Sequence, residues 1–437
     1  MRLNIAAVGR LLKTHEGAQA ARLTPLQALR RAVLTALLWE DNFYEKGSEI
    51  ATNVADLVPK VTPEQVAALA VEARDRMYLR HVPLFLVREL ARTKGNGPLV
   101  ADTLEHVIQR PDELAEYLAL YWRGQADGDK APLSAGSKRG LARAFRKFSA
   151  YQLAKYDRDN IVKLRDVLRL THAKPKDAEQ AGLWKLVVKR ELETPDTWEV
   201  ALSAGNDKRE TFERLLREHK LGALAFLRNL RNMVEADVDT DLIRERFGGK
   251  LDRVLPFRFL AAVRHAPAFA PQLNDAMLRA VGEEPRLPGG TIILVDVSGS
   301  MDDRLSHQSE MLRVDAAAGL AVLARELGDC RVFTFSERTV EVPAFRGLAL
   351  ADAISKSQPH TGTYLGDAVK TLNEHTRYDR LIVITDEQAH DDVPAPKGKG
   401  YIIDVAPYKN GVGYGPWTHI DGWSERVLDF IRESEAA

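Results

Sequence analysis

The sequence predicts a multidomain protein, with an all-α half over residues 1–285 and a doubly wound α/β domain over residues 286–437. Three observations predict this. Residues 1–285 place apolar side chains at helical spacing, with scarcely any strand-like alternation. Beyond them, short β-branched runs alternate with helix-forming stretches, which implies a parallel sheet with helices on its faces. Between the two, Gly282-Glu-Glu-Pro-Arg-Leu-Pro-Gly-Gly290 stops helix and strand alike.

Composition sets the bounds. At 437 residues, 45% hydrophobic and 28% charged, the chain has ample core and an ordinary globular make-up. No run approaches the roughly 18 apolar residues of a membrane span, and the opening Met1-Arg-Leu-Asn-Ile-Ala-Ala-Val-Gly-Arg10 lacks a secretory apolar core. A soluble, cytoplasmic, monomeric protein is expected. The single cysteine, Cys330, excludes an internal disulfide and a cysteine-ligated zinc site, and its place before Val332 and Phe333 suggests a buried strand start. The 62 basic and 62 acidic residues cancel, but unevenly: residues 1–285 hold 46 against 39, and residues 286–437 hold 16 against 23. An excess of seven positive charges in the first part hints at a polyanion partner, although solvated helix faces would explain it too.

Within the helical half, Val61-Thr-Pro-Glu-Gln65 reads as a helix start, with Thr62 at the N-cap, Pro63 at the first position and Gln65 closing a capping box. Arg110-Pro-Asp-Glu-Leu114 starts another, with Leu114, Tyr117, Leu118 and Tyr121 on one face. The stretches Val82–Leu90, Leu221–Met233 and Val254–Val263 behave similarly. No strict period emerges, so any repeat is structural, as in HEAT-like helical pairs. Residues 124–137 read as a surface loop, followed by Lys138, Arg139, Arg143, Arg146 and Lys147 interleaved with Phe145 and Phe148. The stretch Tyr151–Lys176 continues this basic, aromatic-bearing region, as a phosphate-binding face requires. Amphipathic helices with solvated Lys and Arg would give the same pattern.

The α/β domain is built on Thr291-Ile-Ile-Leu-Val-Asp-Val-Ser-Gly-Ser-Met301, an apolar strand run ending in one carboxylate and two hydroxyls. Leu381-Ile-Val-Ile-Thr-Asp386 is a second such run, and Thr361-Gly-Thr-Tyr-Leu-Gly-Asp-Ala-Val369 a Gly-punctuated loop entering a helix. Hard divalent cations such as Mg²⁺ take oxygen ligands of this kind. Ligands of open α/β sheets bind beyond the carboxyl ends of the strands, where these oxygens would lie. A bare Asp-x-Ser-x-Ser could instead only cap the next helix. Helices over Arg313–Leu327 and Thr363–His375 and strands over Arg331–Phe335, Thr339–Val342 and Tyr401–Val405 complete the domain. The tail from Trp417 ends in an amphipathic helix carrying Trp423, Val427, Leu428 and Ile431.

Asp-x-Ser-x-Ser, a loop Thr and a strand-end Asp in this order resemble the metal-ion-dependent adhesion site (MIDAS) of von Willebrand factor A domains, from about Pro288 onward. The resemblance implies metal coordination by Asp296, Ser298, Ser300, Thr363 and Asp386, with Thr361 as the alternative to Thr363. Leu79-Arg-His-Val-Pro-Leu84, Tyr151-Gln-Leu-Ala-Lys-Tyr156, Leu164–Pro175, Trp198–Asn206 and Leu221–Asn232 resemble the TROVE module, a ring of helical repeats. TROVE followed by an A domain is the architecture of the bacterial Ro ribonucleoproteins, and the resemblance spans nearly the whole chain. It implies a scaffold that binds small non-coding Y-like RNA and single-stranded ends of misfolded RNA, in RNA quality control or decay. It also implies an exoribonuclease partner such as polynucleotide phosphorylase. Lys155 and His172 match basic positions of the family's Y RNA face; another falls on Asp159, with Arg158 beside it, and Lys138 and Arg139 lie in the adjoining basic cluster. Taken alone, His172 would be a packed or capping histidine. No nucleophile constellation or phosphate-cradling loop is visible, and His390 reads as a loop residue rather than a general base, so no enzymatic activity is expected. The other reading is a metal-dependent protein-binding adaptor in which the helical repeats present the A domain.

Overall fold

The computed structural model describes residues 23–34, 47–75, 79–122, 131–157, 161–251, 254, 256–281, 286–305, 310–326, 328–406, 411–412, 415–421, 431 and 435. By contact the chain divides into two compact units, one of residues 51–205 and one of residues 1–50 with 206–437. Arg158, together with Asp159, and most of the expected tail helix lie outside the described residues; Ile431 is fully buried.

Among its described residues, the regular elements of the first unit are all helices. Its Pro63–Asp75 helix begins with the expected capping box: Thr62 N–H donates to Gln65 Oε1 at 3.2 Å and Gln65 N–H to Thr62 Oγ1 at 3.3 Å. The Pro111–Trp122 helix is fixed by Glu113, fully buried, which accepts the amides of Gln109 and Arg110 at 2.8 and 3.0 Å and the Arg74 guanidinium at 2.8 Å. Burying that carboxylate is tolerable only because its lone pairs are filled and a cation faces it. Helices Gly97–Val107 and Ala135–Phe145 come close because Gly136 and Gly140 sit between them. A Cβ at Gly136 would meet Gly97 O at 2.6 Å, and one at Gly140 would meet Ala101 O at 2.9 Å. Phe145 and Phe148, expected to interleave with the basic residues on a surface, are buried instead, Phe145 edge-on to Trp184 at 5.2 Å. At helical spacing an aromatic serves core or surface equally well, and here the core takes both.

The second unit holds, among its described residues, a six-stranded mixed sheet: β1 Gly290–Asp296, β2 Asp329–Phe335, β3 Thr339–Val342, β4 Arg380–Thr385, β5 Lys399–Asp404 and β6 Thr418–Asp421. The order is β3-β2-β1-β4-β5-β6, every pairing parallel except β2 with β3. Two features differ from the expected all-parallel sheet. The three residues between β2 and β3 are too few for a crossover, so β3 returns antiparallel at the edge. The tail also supplies a strand, β6, which four residues flanked by Gly, Pro and Trp did not announce. Chain order reverses at β1, which lies between β2 and β4, and in open α/β sheets ligands bind beyond the strands' carboxyl ends at such a switch point. Side chains Leu294, Phe335, Val383, Leu365 and Leu372 form the core on one face, and Cys330 is buried at the start of β2.

Helices from Lys208 to Val281 group with this sheet. Arg264, on the Pro256–His265 helix, pairs with Asp315 on the Arg313–Arg325 helix. Asn274 Oδ1, on the Ala270–Val281 helix, accepts the Leu348 amide at 3.0 Å, at the start of the Gly347–Ser355 helix. Among the described residues, no helix is long and apolar enough to cross a membrane.

Candidate functional site

The strand-end oxygens converge at the switch point. β1 is buried on both faces and delivers Asp296 fully buried at its last position, with Ser298 equally buried two residues on. Asp296 Oδ1 accepts the Ser298 amide at 2.8 Å and Oδ2 accepts the Thr385 hydroxyl at 2.6 Å, so the neighbouring strand orients the carboxylate. Ser298 Oγ and Ser300 Oγ lie 3.3 Å apart. Asp386, fully buried, follows β4 and accepts the Gln388 amide at 3.3 Å. The Thr361–Thr363 loop closes over this group: Thr361 O accepts the Gly299 amide at 2.9 Å, and Thr361 Oγ1 lies 3.2 Å from Ser336 Oγ. Thr363 is buried. Its amide donates to His390 Nδ1 at 3.0 Å while its carbonyl accepts the His390 amide at 2.9 Å, and the His390 ring stacks on Tyr364 at 5.3 Å. His390 thus braces the loop.

Electrostatics bear on what this arrangement can hold. Burial, and next the charge of Asp386, push the Asp296 carboxyl up to about 7. The buried Arg313 guanidinium offers partial relief, 3.5 Å from Asp386 Oδ2 and donating to Ser300 O at 3.2 Å. Two buried carboxylates and nearby hydroxyls are hard oxygen donors, and a divalent cation between them would offset their repulsion. The residues present therefore fit such an ion.

The sequence-expected RNA-facing residues lie in the first unit. Lys155 is half-buried near the end of the Ala150–Tyr156 helix, its Nζ 6.0 Å from the Tyr156 ring centroid. It lines a cavity of about 770 Å³ with Asp157, Arg190, Glu193, Thr197 and Glu199. Charges of both signs line that cavity, and burial pushes the Asp157 carboxyl up against the opposing pull of Arg190. His172 is exposed and ends the Leu164–Thr171 helix in the left-handed region at φ 51°, a conformation common at helix C-termini. On the Ala135–Phe145 helix Lys138 is half-buried and Arg139 exposed. The rest of the basic cluster is committed to the fold. Arg143 pairs with Asp102 at 2.7 Å and with Glu105, Arg146 donates to Lys174 O at 2.9 Å, and Lys147 to the carbonyls of Glu105 and Ile108. Exposed Tyr151, one helical turn before Lys155, is an aromatic the cluster does offer to solvent.

Sequence reasoning missed a second group of side chains. Glu387, Asp404 and His419 bring one ligand atom each within 4.8 Å of the others. Their spacing follows no motif, because they come from three neighbouring strands, Glu387 just beyond β4, Asp404 ending β5 and His419 within β6.

The fold defines a class: a helical part followed by a mixed six-stranded sheet with flanking helices. Residues 175–286 match the TROVE domain family. The crystal structure of the Deinococcus radiodurans Ro (RSR) protein is similar over 90% of this chain and 96% of that one, with a TM-score of 0.58 and 17% identity. At that identity the likeness speaks for the fold alone. The TROVE match begins beyond Lys155 and His172.

Proposed function

We propose that the protein is a Ro-like, RNA-binding scaffold without catalytic activity, acting in RNA quality control or decay. The observation that carries this reading is a TROVE segment set within a Ro-like fold along nearly the whole chain. The surface chemistry supports it. Exposed Arg139 and His172 with half-buried Lys138 and Lys155 can reach phosphates, and Tyr151 can stack on a base. Arg158 belongs to the same expected set. The ligands proposed are a structured Y-like RNA and single-stranded RNA ends, and the partner an exoribonuclease such as polynucleotide phosphorylase, in the cytoplasm. At the switch point Asp296, Ser298, Ser300, Thr363 and Asp386 would hold Mg²⁺, with Thr363 preferred over Thr361 because the latter's hydroxyl lies against Ser336. Such an ion would supply a docking position for a partner's carboxylate.

A metal-dependent adaptor that binds protein rather than RNA rests on the same oxygens. Purification of the full chain separates the two readings. RNA should co-purify, raise the ultraviolet absorbance ratio, crosslink to residues 138–172 and come off steeply as salt rises. Nucleic-acid-free protein that binds neither structured nor single-stranded RNA at low salt would leave the adaptor reading.

A further inference from the structure

We propose that Glu387, Asp404 and His419 form a second metal site, separate from the oxygens around Asp296, and that its ion is a divalent transition metal with zinc foremost. This inference does not rest on RNA binding. The three residues come from the neighbouring strands β4, β5 and β6: Glu387 just beyond the carboxyl end of β4, Asp404 as the last residue of β5, and His419 within β6. Glu387 and Asp404 are fully buried, and the His419 side chain is 4% exposed. Their three ligand atoms lie within 4.8 Å of one another, and His419 Nδ1 is 2.6 Å from Glu387 Oε1.

The chemistry selects the ion. One imidazole nitrogen and two carboxylate oxygens are a mixed donor set, which suits zinc or a neighbouring transition metal better than Mg²⁺ or Ca²⁺. Three protein ligands leave a fourth position open for water or another ligand, as in zinc sites that are not purely structural. Ligands about 2.1 Å from a tetrahedral zinc stand roughly 3.4 Å apart, so the imidazole and Glu387 need part by only about an ångström to admit it. The surroundings are already ordered for ligation. Asp404 Oδ1 accepts the Ala406 amide at 3.1 Å, which turns the carboxylate, and the Glu387 amide donates to Thr385 Oγ1 at 3.1 Å.

Thr385 is the link to the other site, since its hydroxyl also bonds Asp296. Both sites must therefore be measured together. Full-length protein is stripped with chelator, saturated with Mg²⁺ to fill the Asp296 site, and titrated with Co²⁺ as a spectroscopic substitute for zinc. Wild type should take up one Co²⁺ with the visible absorption of a four-coordinate nitrogen–oxygen site, and Zn²⁺ should displace it. Near-isosteric His419→Gln and Glu387→Gln should each weaken it about 100-fold or more, beyond what losing a mere supporting partner costs. Asp296→Ala should retain it. Wild type with no such Co²⁺ site, or a folded His419→Gln variant with wild-type affinity, would overturn the proposal. Should His419→Gln fail to fold, the decision falls to the wild-type stoichiometry and the melting temperature with and without Zn²⁺, where no rise on adding Zn²⁺ counts against it.

Discussion

Asp296 shows how much one residue is asked to do. Its two oxygens are held by the Ser298 amide and the Thr385 hydroxyl, and its charge is opposed by burial and by Asp386. Asp296→Ala removes the carboxylate around which the proposed Mg²⁺ site is built, so calorimetry should show Mg²⁺ binding abolished. Secondary structure by circular dichroism should be retained. Unchanged Mg²⁺ affinity would remove the assignment. This residue was legible because a strand run gave it an address: a buried apolar strand that stops on Asp, with hydroxyls two and four residues on, puts oxygens at one end of a sheet. His419 had no such address. A single histidine in a four-residue strand acquires meaning only once Glu387 and Asp404 are seen beside it.

At the scale of elements, strand β4 is tied down by an ion pair at its first residue. Arg380 is almost fully buried, donates to Thr291 Oγ1 at 2.7 Å, and pairs with Glu435, which also accepts the Tyr401 hydroxyl at 3.0 Å. The Arg380 guanidinium holds the Glu435 carboxyl below its ordinary value. A carboxylate lowered in this way contributes stability above its unfolded pKa of 4.5, and that contribution is lost as pH falls through the folded value. Glu435→Gln leaves Arg380 buried without its charge partner and should cost about 3 kcal/mol near neutral pH. The gap in melting temperature between variant and wild type should then shrink on acidification below 4.5; a gap independent of pH would show that packing, not charge, is lost. Most elements could be read from sequence, because capping boxes and apolar periodicity are local. The Thr62 box and the β3 bounds are as expected. The antiparallel direction of β3 and the existence of β6 depend on how strands meet, which local patterns do not encode.

For the whole molecule, sequence showed a basic half but not which of its cations are committed to the fold. Arg143, Arg146 and Lys147 bond carboxylates and carbonyls of the fold, Arg146 and Lys147 while remaining exposed, whereas Lys155 is half-buried and His172 exposed. Each charge-assisted phosphate contact is worth roughly 1.5–3 kcal/mol, so Lys155→Ala with His172→Ala should weaken a structured small RNA about tenfold or more. A single-stranded oligonucleotide competing at the same salt should suffer much less. Equal losses would mean one shared basic surface, and no loss would return His172 to a plain helix cap. The pairing of Arg264 with Asp315, and of Asn274 with the Leu348 amide, also bears on how such a chain can be taken apart or evolve. The sheet is no interchangeable cassette. Grafted elsewhere from residue 286, it would leave behind the cation that answers Asp315 and the acceptor that answers Leu348, so a successful exchange must carry its neighbouring helices along.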